Sequence, residues 1–360
     1  MAYTTIDDPS AYFQALVYAG TGGLNVPVTH TNTGNSDLQP DLIWFKDIGA
    51  SYQHYLVDSS RGRAAGLHPD DNSAETTTGA AGNDLVSFDT DGFKVGSPSE
   101  GNSTNGGTTN KVAWQWKANA GTTSTNSDGD INSTVQVNTT AGFSIVQYNP
   151  SNTTTRNIGH GLGVKPDCIL IRNRTRVENW RMWFNVIGQG ALTLDGSGTY
   201  TVNSNLVNSA TTSTFNVGGD FSVNGNYPYV AYCFNNVQGY SKFGKYVGNG
   251  DATNGPFVFL GFSPAFVMIK NTETANRPWY MFDNKRKTFN PNGSILKADT
   301  SDAEATDQAI DMLSNGFKVR PDALGSFGTS TINHSGQKMV YMAFAESPFT
   351  SSTGIPTTAR

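Results

Sequence analysis

The stretch "LQPDLIWFKD" at residues 38–47 decides the fold, because it returns as "VKPDCILIRN" at 164–173 and as "FSPAFVMIKN" at 262–271. Each version runs from a proline through apolar residues to a cation at a constant distance: Pro40 to Lys46, Pro166 to Arg172, Pro264 to Lys270. Proline has no N–H, so it suits the first residue of a strand, where no ladder bond is lost. The run behind it is apolar on both alternating faces, which predicts a strand covered on both sides, by a second sheet and by loops. The closing cation is expected at the rim, with its stem packed down and its charge in water.

Working outward, the same neighbours recur in the same order. A strand ending near a tyrosine comes first: "YFQALVYAGTG" (12–22), "GFSIVQYNPSN" (142–152), "SKFGKYVGNGD" (241–251). After the proline strand come "YQHYLVDSSRG" (52–62), "NWRMWFNVIG" (179–188) and "PWYMFDNKRK" (278–287). An F-x-V step follows at "DGFKVGS" (91–97), "STFNVGG" (213–219) and "NGFKVRP" (315–321), then Asn105, Asn224 or Asn333. Each copy closes with an apolar strand: "KVAWQWKAN" (111–119), "YVAYCFNNV" (229–237), "MVYMAFAES" (339–347). Strand alternation puts Val112, Trp114 and Trp116 on one face, matched by Val230, Tyr232 and Phe234 and by Val340, Met342 and Phe344. A face that accepts tryptophan, tyrosine and methionine demands bulk, so it is read as core and not as a stacking platform for sugars or bases.

Short apolar runs rich in Val, Ile, Phe, Tyr and Trp, separated by Gly, Asn, Thr, Ser and Asp, indicate strands and turns. The expected fold class is all-β: three tandem copies of one domain with few short helices. The copies span 1–118, 142–239 and 240–349. The Thr/Ser/Asn/Gly-rich segment 119–141 reads as a linker or extended surface arm, and 350–360 as a solvated tail. Copies two and three abut almost directly and are expected to form a rigid pair, with copy one joined more loosely. The best helical candidate is "DAEATDQAIDML" (302–313), and "NSAETTTG" (72–79) is weaker.

Composition narrows the function. A chain of 360 residues can bury its cores without covalent staples, and Cys168 and Cys233 form no C-x-x-C pair, so both read as small buried hydrophobes. A net charge of −5 without a basic run argues against a nucleic-acid partner. The N-terminus lacks the basic and apolar regions of a secretory signal, and no apolar stretch reaches the roughly 18 residues of a membrane span, so no membrane insertion is expected.

The search for catalytic chemistry nominates no catalytic, cofactor-binding or metal-binding residue. "GYSKFGK" (239–245) matches seven places of a phosphate-binding loop, but Tyr246 stands where Ser or Thr is required and no helix follows. The five histidines are scattered. Only His160, in "IGHGLGVKPD", has a suggestive setting, and its glycines mark a turn. "NSDGDIN" (126–132) resembles half a calcium loop without the glycine and the bidentate glutamate. The N-x-S/T triplets at Asn102, Asn132, Asn138, Asn152, Asn173 and Asn333 are background in so Asn- and Thr-rich a chain.

The order of these segments, with "DSSRG", "SFDTDGFKVG", "KVAWQWKA", "GHGLGVKPDCILIRNR" and "YVAYCFNNVQGYSKFGKYVGNG", resembles repeat-containing virion proteins of tailed bacteriophages, of the marine and cyanobacterial phage type. The likeness spans essentially the whole chain, from "DDPSAYFQ" to "TTAR". Copy one departs through its long "SPSEGNSTNGGTTN" turn, and copy two lacks the "DGF" or "NGF" lead of its neighbours. The resemblance implies that the three copies are tandem β-sandwich domains of jelly-roll or SPRY-like type, in a non-enzymatic structural protein of the virion made in the bacterial host cytoplasm. It would be tail-exposed or tail-fibre-like, taking part in host attachment through a surface glycan or protein receptor. Its partners would be other tail or capsid proteins, and a homo-oligomer is compatible. Capsid decoration, as a head fibre with a structural role only, is the alternative. No cofactor or catalytic residue is carried over.

Overall fold

Proline, tryptophan-bearing and closing segments all fold as strands in the computed structural model, which describes residues 3–22, 27–77, 84–96, 103–251, 253–320 and 331–357. Asn102 and the ends of the 97–110 turn and of the tail, at 97–102 and 358–360, lie outside the described residues. The fold is all-β, built from antiparallel sheets packed as sandwiches. The one helical element that lies wholly within the described residues is a 3-10 turn at Pro9–Ala11.

One four-strand order occurs three times. Phe13–Ala19 pairs with the closing strand Asn110–Trp116, which pairs with the proline strand Leu42–Asp47, which pairs with Tyr55–Asp58. The next set is Phe143–Tyr148, Tyr229–Phe234, Cys168–Asn173 and Arg181–Phe184. The last is Ser241–Val247, Lys338–Pro348, Phe262–Asn271 and Tyr280–Asp283. The closing strand is therefore interior, hydrogen-bonded on both edges, although it comes last in each copy. Each set faces smaller strands carrying the F-x-V step, at Gly92–Val95, Thr214–Val217 and Gly316–Arg320.

The cores follow from the alternation. Ala113, Ile43, Phe45 and Phe93 form a core inside copy one; Ala231, Cys233, Ile169 and Phe215 do so in copy two, and Ala343, Val267, Ile269 and Phe317 in copy three. The bulky face points the other way. Val112, Trp114, Trp116, Val230, Tyr232, Phe234, Val340, Met342 and Phe344 all belong to one central core shared by the three copies. At its centre Trp116, Phe234 and Phe344 meet pairwise, with ring centroids 6.5, 5.8 and 5.5 Å apart. Rings in this range gain about 0.5–1.5 kcal/mol per pair beyond their burial.

Several expectations are corrected here. The second cover of the proline strand is the other two copies, not loops, and the closing strand's large face belongs to the common core, not to its own sandwich. Copy one is not joined through 119–141 alone, since the central core includes residues of all three copies. Lys46, Arg172 and Lys270 are fully buried, not at a wet rim, because the rim of one copy is the surface of the next. Residues 302–313 are not helical: Ala305–Leu313 is a strand paired on both edges, a tertiary pairing that overrides modest helix propensity. Within 119–141, Ser124–Asn126 and Ser133–Asn138 are strands, and the latter extends the second sheet by pairing with Phe143–Tyr148. Threonine-rich text can form an edge strand once a neighbour supplies its ladder.

Candidate functional site

The structure concentrates buried polar chemistry in the joints between copies. Each joint repeats one set of bonds in one rotational direction. Trp180 Nε1 of copy two donates to His68 O of copy one at 2.8 Å, and Trp279 Nε1 of copy three donates to Thr193 O of copy two at 2.9 Å. In copy one His54 stands where the others have tryptophan. Its Nδ1 accepts from Trp44 Nε1 at 2.8 Å, so its Nε2 carries the proton and donates to Lys297 O of copy three at 3.0 Å. Burial lowers the His54 pKa well below its ordinary value, which keeps the ring neutral. Head-to-tail contacts of this kind close into a ring when the rotation allows, and here the third joint joins copy one to copy three.

A buried carboxyl anchors each of these turns: the backbone N–H of His54, Trp180 and Trp279 donates to Asp70, Asp195 and Asp299 at 3.0, 3.0 and 2.9 Å. Burial pushes Asp70 up to about 7 and Asp195 up to about 6, and raises Asp299. The repeat cations lie beside them. Lys46 Nζ donates to Asp47 O, Ala50 O and, across the joint, Ser301 O at 2.9, 3.2 and 3.1 Å. Arg172 Nη2 crosses its joint to Asn72 O and Ser73 O. Lys270 Nζ donates to Arg277 O. Burial lowers Lys46 and Lys270 to about 8 and Arg172 to about 10. Lys46 and Arg172 thus fasten one copy to the next through carbonyls, whereas Lys270 ties down a turn of its own copy.

Nearer the centre the joints diverge. Between copies one and two, Tyr232 Oη donates to Asp58 at 2.7 Å. Asp58 is paired with Arg61 at 2.5 Å, and Arg61 with Glu75 at 2.6 Å. Between copies three and one, Trp114 Nε1 donates to Asp283 at 3.1 Å, Asp283 pairs with Arg286 at 2.6 Å, and Arg286 with Glu304 at 2.8 Å. Strand register places Phe184 where those joints have Asp58 and Asp283, and Met342 where they have Tyr232 and Trp114. Ile187 and Tyr200 then stand in the places of the arginine and the glutamate. Two joints carry a buried ionic chain, and the joint between copies two and three is apolar. The signal was in the text: D-x-x-R at 58–61 and 283–286, but F-x-x-I at 184–187.

Surface concavities lie at that third joint and on copy three. One, about 420 Å³, opens between Val186, Ile187 and Tyr200 on copy two and Lys245, Thr272 and Lys338 on copy three. The other, about 690 Å³, runs along the turn that follows the Tyr280–Asp283 strand, past Asn284, Lys285, Phe289 and Glu346. On copy two the guanidinium of Arg176 lies over Phe221 and Tyr227, at 4.6 and 5.2 Å.

The motifs weighed in the sequence fall elsewhere. The "GYSKFGK" segment is mostly the Ser241–Val247 strand, with Lys245 Nζ donating to Val186 O at 2.9 Å. His160 is buried, and its Nδ1 accepts from Leu162 N at 3.1 Å, a turn role. Asp130 of "NSDGDIN" accepts from Asn157 N at 2.7 Å, tying the arm to a strand of copy two. Both cysteines are buried and free. Among the described residues no group of three or more His, Cys, Asp or Glu is placed to hold a metal ion. The recurrent asparagines are structural: Asn105, Asn224 and Asn333 are buried and donate to Gly96 O, Gly218 O and Asp251 O. Beside them Tyr18, Tyr148 and Tyr246 donate to Thr104 O, Val223 O and Ile332 O at 2.6, 2.7 and 2.6 Å.

Fold and joints together define an all-β protein whose antiparallel sheets pack around one central aromatic core. The chain belongs to the family described as Domain of unknown function (DUF7483), whose model matches residues 8–348. No curated protein and no solved structure matches it.

Proposed function

We propose that the chain is three tandem sandwich domains fused into one rigid block, and that it serves as a non-enzymatic structural protein of a tailed-phage virion. In this reading the block is exposed on the tail and takes part in attachment to the host surface. The segment order and its likeness to phage virion proteins support this, and one structural observation carries it. The three joints repeat the same bonds head to tail and close on themselves around a solid core, so the block presents its surface concavities on a stiff frame. Attachment benefits from such stiffness, because little conformational entropy is lost on binding. The buried carboxyls and cations of the joints serve cohesion between copies and are shielded from any substrate.

Capsid decoration is the second reading, favoured by the same pseudo-threefold arrangement, which suits a threefold position of an icosahedral shell. Adsorption of the purified, labelled protein to host cells tests the first. Failure to adsorb, together with tight binding to empty heads, would overturn it in favour of the second. Release of reducing ends from host polysaccharide would refute the non-enzymatic assignment.

A further inference from the structure

The three joints share a scaffold bond and differ in what lies outside it. Glu75 N donates to Arg174 O at 2.7 Å, Glu304 N to Ile48 O at 2.8 Å, and Tyr200 N to Thr272 O at 2.9 Å. Between copies one and two the space beyond this bond is filled. The Arg174 guanidinium pairs with Glu75 at 2.7 Å and donates to Gln147 Oε1 at 3.0 Å, while Gln147 Nε2 donates to Ser60 O at 3.1 Å. Gln136, on the added strand Ser133–Asn138, donates to Ser60 Oγ at 2.7 Å and covers the same joint.

Between copies two and three each filler is replaced. Thr272 stands for Arg174, Tyr200 for Glu75, Lys245 for Gln147 and Val186 for Ser60, and among the described residues no added strand pairs with Ser241–Val247 on the edge away from the closing strand. The vacated space is the cavity of about 420 Å³. One wall is apolar, made by Val186, Ile187 and Tyr200, which pack on the central core. The other wall is charged. Lys338 is paired with Glu273 at 2.7 Å, which leaves Lys245 as the uncompensated charge: its ammonium donates to Val186 O at 2.9 Å, and no carboxylate pairs with it among the described residues.

We propose that this groove binds a carboxylated sugar of a host-surface glycan, the carboxylate meeting the Lys245 ammonium and the ring lying against Tyr200 and Val186. The choice of a glycan rests on the attachment reading above. The choice of an acidic one rests on the net charge of the groove. An apolar wall facing a few polar groups is the usual composition of a small-ligand site, and an exposed lysine without a partner is a point charge for a carboxylate.

The test titrates the full chain with a short oligoglucuronate and with its neutral oligoglucose counterpart, by calorimetry. Saturable binding of the acidic oligosaccharide is expected, weakened about tenfold or more by Lys245→Met, with the neutral one at least tenfold weaker. The double variant Tyr200→Glu with Thr272→Arg rebuilds the pair that fills the joint between copies one and two, and it should abolish binding in a chain that still unfolds in one cooperative urea transition. If that variant fails to fold, Lys245→Met at an exposed position still decides. Absence of binding, equal binding of the neutral sugar, or variants that bind like the parent would overturn the groove. Host-cell adsorption separates the two claims: a filled-groove variant that still adsorbs refutes the groove and leaves attachment standing. A parent that never adsorbs, yet binds oligoglucuronate through the groove, refutes attachment alone.

Discussion

Arg61→Ile should cost more than almost any other single replacement in the chain, and moving a whole joint should recover most of that cost. The Arg61 side chain is fully buried, as is that of Asp58, and its guanidinium reaches Asp58, Glu75, Ala65 O and Tyr232 Oη at 2.5, 2.6, 2.9 and 3.2 Å. Burial alone would lower the Arg61 pKa, but Asp58, Tyr232 and Glu75 outweigh it and hold the group well above its ordinary value. Glu75 is likewise held low against its burial by Arg174 and Arg61. Isoleucine there leaves the Asp58 carboxylate dry and unpaired. Breaking a buried pair in this way costs about 3–5 kcal/mol, whereas replacing the whole buried network by apolar residues is often neutral or stabilising.

The protein contains the replacement. Copying the joint between copies two and three means Asp58→Phe, Arg61→Ile, Glu75→Tyr, Arg174→Thr and Tyr232→Met. Urea unfolding at pH 7 should show Arg61→Ile about 3–5 kcal/mol below the parent and the five-site variant within about 1–2 kcal/mol of it. A five-site variant as unstable as Arg61→Ile, or an Arg61→Ile loss below about 1 kcal/mol, would refute the claim that the ionic chain and the apolar seam are interchangeable fillings of one scaffold.

Trp116→Ala should destabilise the protein by about 3–5 kcal/mol and lower the cooperativity of a thermal melt, since it empties the aromatic contact at which all three copies meet. The buried ionisable groups shape stability against pH in two windows. Asp70 and Asp195, raised to about 7 and about 6 from 3.8, bind protons in the folded state that the unfolded chain releases, so their contribution falls as pH rises from about 4 to 7. Lys46 and Lys270, lowered to about 8 from 10.5, do the reverse, so stability rises between about 8 and 10.5. Urea midpoints across pH 4–10 check both windows, and Asp70→Asn should flatten the acid one.

Much of this was legible before any coordinates. The proline-to-cation spacing, the F-x-V step and the alternation in the closing strands fixed the strands and which side chains share a face, because a strand's period of two leaves a local record in the text. Pairing left no such record. Nothing local says that the last strand of each copy lies second in its four-strand set, that Ser133–Asn138 adds to the second sheet, or that Ala305–Leu313 finds partners on both edges. The joints were less legible still. Asp58 and Arg61 lie close in sequence, but Tyr232 lies 174 residues from Asp58 and Trp114 lies 169 residues from Asp283.

The sequence by itself therefore determined an all-β chain built on one pattern met three times, with the bulky face of each closing strand marked as core. Only the tertiary structure decided whose core it was. A strand hydrogen-bonded on both edges has two faces to cover, and a single sandwich covers one; the other two copies cover the second, which is why Lys46 and Arg172 end in a neighbour's carbonyls, and Lys270 in the Arg277 carbonyl of its own copy, and not in water.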